Sequence, residues 1–180
     1  MHLLADVNPQ DRPAQRLADI DWSRWRPVDP ATLLFVIREA SREVLLIRKK
    51  RGLGAGKINA PGGRIEPGET PVQAAIREVR EELGVTALQP RAAGELRFQF
   101  VDGYSLHVHV FRSPDCEGSA IETAEAIPLW TPLTAIPYDE MWADDRLWVP
   151  MLLERRRFSG RFLFDGDTMM DHAFDPVDDE

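Results

Sequence analysis

Four of the five glutamates in one short stretch, GRIEPGETPVQAAIREVREELGV (residues 63–85), could act together: Glu69, Glu78, Glu81 and Glu82. The last three are spaced i, i+3 and i+4, which on a helix turns them to one side. Like charges at that spacing destabilise even an exposed helix by about 0.2–0.5 kcal/mol per pair. Arg77 and Arg80 offset part of that repulsion. A solvated charged face is the ordinary explanation of such acids, and two features count against it here. The glutamates flank the apolar stripe of the helix rather than lying opposite it, and a Gly/Pro turn, APGGRIEPGE, delivers a further carboxylate, Glu69, to the helix start. Carboxylates gathered in this way suit a hard divalent cation such as Mg2+, which keeps some of its waters and shares its other positions with substrate phosphates.

The helix itself is marked by its ends. Thr70 can cap it, Pro71 suits the first helical position, Gln73 completes a capping box, and Gly84 suits the C-terminal stop. Val72, Ala75, Ile76, Val79 and Leu83 recur at helical spacing and form the expected buried face. Before it, ATLLFVI and VLLIRKK flank REASRE as a hairpin, and RGLGAGKINAPGG is a Gly-rich loop. After it, ELRFQFVD, SLHVHVF and AIPLWTPL read as strands. WADDRLWVPMLLERRRF reads as a helix with an acidic cap and Pro150 near its start, and GRFLFDGDTMMDHAF as a closing hairpin. Hairpins on both sides of a central helix imply an α/β layered domain with a mixed sheet.

A chain of 180 residues with 43% hydrophobic content is sufficient for one core, and a net charge of -8 argues against a general nucleic-acid or anionic-membrane binder. The single cysteine, Cys116, excludes an internal disulfide, and its setting, SPDCEGS, reads as a turn. MHLLADVNPQDRPAQ lacks the apolar core of a signal peptide and no apolar run could span a bilayer, so a cytoplasmic protein is expected. Residues 1–30 form an extension whose Trp22 and Trp25 pack on the main domain, residues 31–180, or on a second subunit. Gly52–Lys57 resembles a phosphate loop only superficially: the glycines are too close, and Ile58 follows the lysine where Ser or Thr is required. Arg48–Arg51 reads mostly as a solvated strand end. His107 and His109 share a strand face, but with no third ligand nearby in sequence they read as ordinary strand residues.

The glutamate-rich stretch matches the signature of the Nudix hydrolases at Gly63, Glu69, Arg77, Glu78, Val79, Glu81, Glu82, Gly84 and Val85. The resemblance implies an α/β/α sandwich with a mixed β-sheet and one catalytic helix, and hydrolysis of a nucleoside diphosphate linked to another group. It implies a metal site of Glu78, Glu81 and Glu82, a backbone carbonyl from Gly62 or Gly63, and Mg2+ as cofactor with Mn2+ as substitute. Arg77 then orients Glu69, and Glu82 is the expected general base. The two rival readings are an enzyme for ADP-ribose, dinucleoside polyphosphates or undamaged nucleotides, and an inactive binding module; the second is disfavoured because all four acids are present.

Outside the signature, KKRGLGAGKINAPGG, LHVHVF, IPYDEMWADDRLWVPMLL and RRRFSGRFLFDGDT resemble the branch of that family that hydrolyses oxidised purine nucleoside triphosphates. That resemblance implies a base pocket from Thr32, Lys49, Asn59, Phe98, Phe100, Trp142, Asp144, Asp145 and Trp148, a substrate contact at Gly63, and a further metal-side acid at Glu125. It implies a nucleoside triphosphate as the only partner, no polymer and no membrane, in a monomer or homodimer. The physical case is separate. Two adjacent carboxylates in an apolar pocket cannot both ionise cheaply, so one keeps a proton and the pair both donates and accepts. The competing account of Asp144 and Asp145 is helix capping, which needs only one of them. Leu53 and Pro61 stand where the family has aromatic residues, which thins the pocket wall.

Overall fold

Leu34–Ile37 in strand β1 (Asp29–Arg38) are buried on both faces, so this segment has to be an interior strand of a sheet covered on both sides. The computed structural model describes residues 13–177; the stretch read for a leader peptide lies mostly outside the described residues. Around β1 the sheet runs β11–β10–β6–β7–β1–β2–β3, with β4 also paired to β1 and β9 to β2. Its members are β2 (Glu43–Lys49), β3 (Ile58–Asn59), β4 (Gly62–Arg64), β6 (Arg91–Phe100), β7 (Ser105–Ser113), β9 (Ala126–Pro132), β10 (Phe158–Asp165) and β11 (Thr168–Phe174). β1 pairs with β7, and β6 with β10, in parallel, and the remaining pairs are antiparallel. The mixed sheet expected from the sequence is therefore present.

Helix α1 (Pro71–Leu83) covers one face, where Ala75, Val79 and Leu83 meet Leu34, Val36, Leu45 and Ile47. Helix α2 (Asp145–Leu153) covers the other, where Trp148, Val149 and Leu152 join Phe35, Ile37, Val110 and Phe162. The result is the α/β/α sandwich. α1 is capped as its sequence requires: Thr70 Oγ1 accepts from Gln73 N at 3.3 Å, the Gln73 side chain accepts from Thr70 N at 2.9 Å, and Gly84 takes the left-handed conformation at φ 72°.

Three expectations need correction. α2 ends at Leu153 rather than running into the arginines, because Arg155 takes a left-handed φ of 59° and turns the chain. Pro150 therefore sits inside the helix, not near its start. The segment around Cys116 is not only a turn: Asp115–Glu117 is a short strand, β8, paired with β5 (Thr86–Leu88), and Cys116 is buried against α1's side of the core. Strands of three residues are too short to show an alternating pattern.

Trp22 and Trp25 pack on their own chain. Their rings are 5.4 Å apart, Trp22 Nε1 donates to Leu17 O, and Trp25 Nε1 donates to Gln99 Oε1 at 2.9 Å. Leu17 N donates to Asp171 Oδ2 at 2.8 Å, which ties a short 3-10 turn (Leu17–Asp19) to the C-terminal hairpin. No helix among the described residues is long and apolar enough to cross a membrane.

Candidate active site

β4 brings the paired glycines beside α1. Thr32 opposes Gly63 and Leu33 opposes Gly62 across β1–β4. A Cβ on Gly63 would stand 2.4 Å from the Glu78 carboxyl carbon, so only glycine leaves room for that carboxylate. Gly62 N donates to Glu82 Oε2 at 3.3 Å. Glu82 is only 4% exposed. Burial, with the charges of Glu78 and Glu125 adding to it, holds its carboxyl up at about 8, and Lys49 opposes the rise. Burial also raises Glu78.

Arg77 organises the remaining acids. Its Nε and Nη2 donate to the two oxygens of Glu69 at 2.7 and 2.9 Å, and its Nη1 reaches Glu78 at 2.9 Å and Glu81 at 3.1 Å. The bidentate bond from Arg77, with the Glu66 N–H as second cause, holds Glu69 down at about 2. The expected pairing of Arg77 with Glu69 is thus in the structure. Glu78 and Glu82 lie together next to the Gly62–Gly63 strand, whereas Glu81 is exposed and drawn toward Arg77. Glu125 faces the same acids across the start of β9, with its carboxylate paired to Arg51. The oxygens of these acids do not converge within 4.8 Å of one another as a closed three-donor set.

The donor set fits a hard divalent cation. The acids offer only oxygen, and Arg77, the one arginine on their helix face, gives its bidentate bond to Glu69 and a single N–H group to Glu78 and Glu81. Burial holds Glu78 and Glu82 up, and the positive charges of Arg77 and Lys49 only partly oppose the rise.

Beside the acids opens a cavity of about 240 Å³ between the sheet and α2. Every residue expected to touch substrate lines it: Thr32, Lys49, Asn59, Gly63, Phe98, Phe100, Trp142, Asp144, Asp145 and Trp148. Of the basic run, only Lys49 does so; Arg48, Lys50 and Arg51 pair with Glu140, Glu122 and Glu125. Leu53 is on the rim and 45% exposed, whereas Pro61 is buried and lines no part of the cavity. Sequence reading passed over Tyr104, Leu106, Val108 and Phe164, which also line it. Leu106 and Val108 could have been found from their alternation with the histidines of β7. Tyr104 gives no such signal, since its place depends on a loop that lets its hydroxyl donate to Asp29 Oδ2 at 2.8 Å.

Asp144 and Asp145 are each 2% exposed, and neither side chain caps α2. Asp144 Oδ2 accepts from Trp148 Nε1 at 2.8 Å while its Oδ1 is buried without a partner; Asp145 Oδ2 accepts from Trp142 N at 3.1 Å. Burial pushes both carboxyls up, Asp144 to about 6 and Asp145 further because the Asp144 charge is beside it. Burial disfavours charge on both carboxyls at once, and a pair that shares one proton presents a donor and acceptors together. Asn59 Oδ1 accepts from Ala60 N at 2.8 Å, which leaves its NH2 for a ligand. Trp142 stands on edge to Phe164 at 5.6 Å, and Gly54 lies so close to its indole that a Cβ there would be 2.8 Å from Nε1.

A buried acid cluster on a capped helix, next to a deep aromatic cavity in an α/β/α sandwich, defines a metal-assisted hydrolase site of one fold family. The NUDIX domain profile matches residues 27–152, and the chain belongs to that family. It is 43% identical over 150 residues to the oxidized purine nucleoside triphosphate hydrolase of Danio rerio, covering 82% of this chain and 95% of that one. The protein of that name from Mus musculus is 38% identical over 149 residues, covering 82% and 94%. Among solved structures, the MutT protein of Bacillus halodurans superposes with a TM-score of 0.73 at 25% identity, over 84% of this chain and 100% of that one.

Proposed function

We propose that this protein hydrolyses oxidised purine nucleoside triphosphates, such as 8-oxo-dGTP and 2-hydroxy-dATP, to the monophosphate and pyrophosphate, so clearing damaged precursors from the nucleotide pool. The observation that carries the reading is the pair of adjacent carboxyls, Asp144 and Asp145, buried in an aromatic cavity next to the glutamate cluster. Oxidation of a purine exchanges donors and acceptors on its edge, and a carboxyl pair sharing one proton can meet either pattern. The Danio rerio and Mus musculus relatives, both oxidized purine nucleoside triphosphate hydrolases, support the same substrate class.

In this reading Phe98, Phe100 and Trp142 enclose the base, with stacking worth about 1–3 kcal/mol. Asp144, Asp145 and Asn59 read its edge. Thr32, Lys49 and Gly63 line the way to the phosphates, and Trp148 fixes Asp144 through its indole N–H. Glu78, Glu81, Glu82, Glu125 and the Gly62 carbonyl would hold Mg2+, with Mn2+ as substitute. Bound there, the cation offsets phosphate charge and acidifies a water. Glu82 would accept a proton from the attacking water as the water oxygen forms a bond to phosphorus and the P–O bond to the leaving pyrophosphate breaks. Arg77 keeps Glu69 and Glu78 in place. The enzyme acts on free nucleotides in the cytoplasm, as a monomer or homodimer, with no polymer or membrane partner.

The test is hydrolysis of dGTP, 8-oxo-dGTP, 2-hydroxy-dATP, ADP-ribose and a diadenosine polyphosphate, with products resolved as pyrophosphate or orthophosphate. Preference for an oxidised triphosphate, lost in Asp145→Asn, is expected. Preference for ADP-ribose or the dinucleotide would overturn the substrate assignment.

A further inference from the structure

The sheet carries a second group of ligating side chains, outside the acid cluster. Glu95 on β6 directly opposes His109 on β7, and His107 is two residues from His109 on the same face. Glu95 Oε2 is 2.9 Å from His107 Nε2, and Glu95 Oε1 is 3.9 Å from His109 Nδ1. The imidazole centroids are 4.5 Å apart. One ligand atom from each residue lies within 4.8 Å of the others, and this is the only such trio of His, Cys, Asp or Glu among the described residues.

The trio is not part of the substrate cavity. Phe98, Phe100, Leu106 and Val108 turn into the cavity from these two strands. Glu95, His107 and His109 alternate with them and so turn to the opposite face, the one α1 covers further along the sheet. His109 pairs with Thr32, and Thr32 with Gly63. Two interstrand steps thus separate the trio from the strand beside the acids, roughly 10 Å at about 4.8 Å per step.

Its chemistry differs from that of the acids. Two imidazoles and one carboxylate are the donors of a borderline metal, and three protein ligands leave a fourth position for water. Bonds of about 2.0–2.1 Å to a tetrahedral zinc ion place ligand atoms about 3.3 Å apart; the present separations of 2.9 and 3.9 Å bracket that value. The site's competing cation is Arg97, whose Nη2 is 3.6 Å from Glu95 Oε2, and it has an alternative partner in Asp175 at 3.8 Å. Burial lowers the pKa of His109, in keeping with a neutral donor.

We infer that Glu95, His107 and His109 form a second divalent-metal site, suited to Zn2+ rather than Mg2+, that clamps β6 to β7 behind the substrate cavity. The clamp fixes the two strands whose other faces supply Phe98, Phe100, Leu106 and Val108. It does not depend on which nucleotide the cavity takes.

The experiment is titration of the full chain with Zn2+ in excess Mg2+, so that oxygen-only sites are already filled, read by calorimetry and by X-ray absorption at the zinc edge. One Zn2+ per chain is expected, with imidazole nitrogens at about 2.0–2.1 Å. Affinity is expected to fall at least about tenfold in His107→Gln and in His109→Gln, and to persist in Glu78→Gln. No uptake, or uptake lost in Glu78→Gln but kept in the histidine variants, would overturn the assignment. The absorption spectrum of the unmutated protein decides the matter even if a variant misfolds, since an oxygen-only shell around the zinc also overturns it.

Discussion

Glu82 combines the deepest burial among the acids of α1 with a contact to the backbone of Gly62, and both shape what its replacement should do. Glu82→Gln keeps the shape and the acceptor for Gly62 N but cannot take a proton from water. Turnover should fall at least about 100-fold while the far-ultraviolet spectrum stays unchanged. Retained activity would remove Glu82 as the base. The same group sets a pH dependence. Its carboxyl is held at about 8 in the fold against an ordinary value of 4.5, so the folded state binds the proton more tightly. The resulting stabilisation is fully present below pH 4.5 and is lost as the pH rises to about 8. In chelator, wild type should therefore lose thermal stability over that range more steeply than Glu82→Gln. Added Mg2+ should reduce the difference, because the cation takes the place of the proton. Glu69 has the opposite sign: its contribution is present above 4.5 and lost as the pH falls toward about 2.

At the scale of elements, the two glycines of β4 do different work. A Cβ at Gly62 would sit 2.0 Å from the backbone oxygen of Thr32, so Gly62→Ala must part β4 from β1 and should destabilise the fold strongly. A Cβ at Gly63 meets first the end of the flexible Glu78 side chain, so Gly63→Ala should leave the melting temperature nearly unchanged while activity drops at least about tenfold from the displaced carboxylate. Thermal unfolding and turnover, measured on both variants, separate the two. Thr70→Ala removes the capping box and should cost about 1 kcal/mol, or about 2–4 °C in a chain of this size. α1 was legible down to both caps because its signals are local: Thr70, Pro71, Gln73 and Gly84 each act within a turn of themselves. The partial errors arose where partners are distant. Ile76, expected on the buried face, is only half-buried, whereas Glu82 is buried beneath the glycines of a strand about twenty residues earlier. The roles of Asp144 and Asp145 turned on Trp142 and Trp148, whose contacts no spacing reveals. Glu95 was absent from the reading of the histidines because only the β6–β7 register brings it to them.

Over the whole molecule, the described residues before β1, from Leu17 to Trp25, act as a strap across the far end of the sheet. Trp25 holds Gln99, whose amide also donates to the carbonyls of Phe100 and Tyr104 beside the cavity. Trp25→Ala should lower stability by roughly 2 kcal/mol and leave the ranking of substrates intact; a changed ranking in the hydrolysis panel would assign the strap a role in specificity. The parallel pairing of β6 with β10 has a further consequence, for synthesis. The cavity draws its lining from Ala31 to Phe164, nearly the full length of the domain. Until Phe158–Asp165 emerges from the ribosome, β6 offers a bare edge carrying Phe98 and Phe100 to any neighbouring chain, and the cavity is incomplete. The C-terminal strands are thus the step at which the edge of β6 is covered and the cavity completed together.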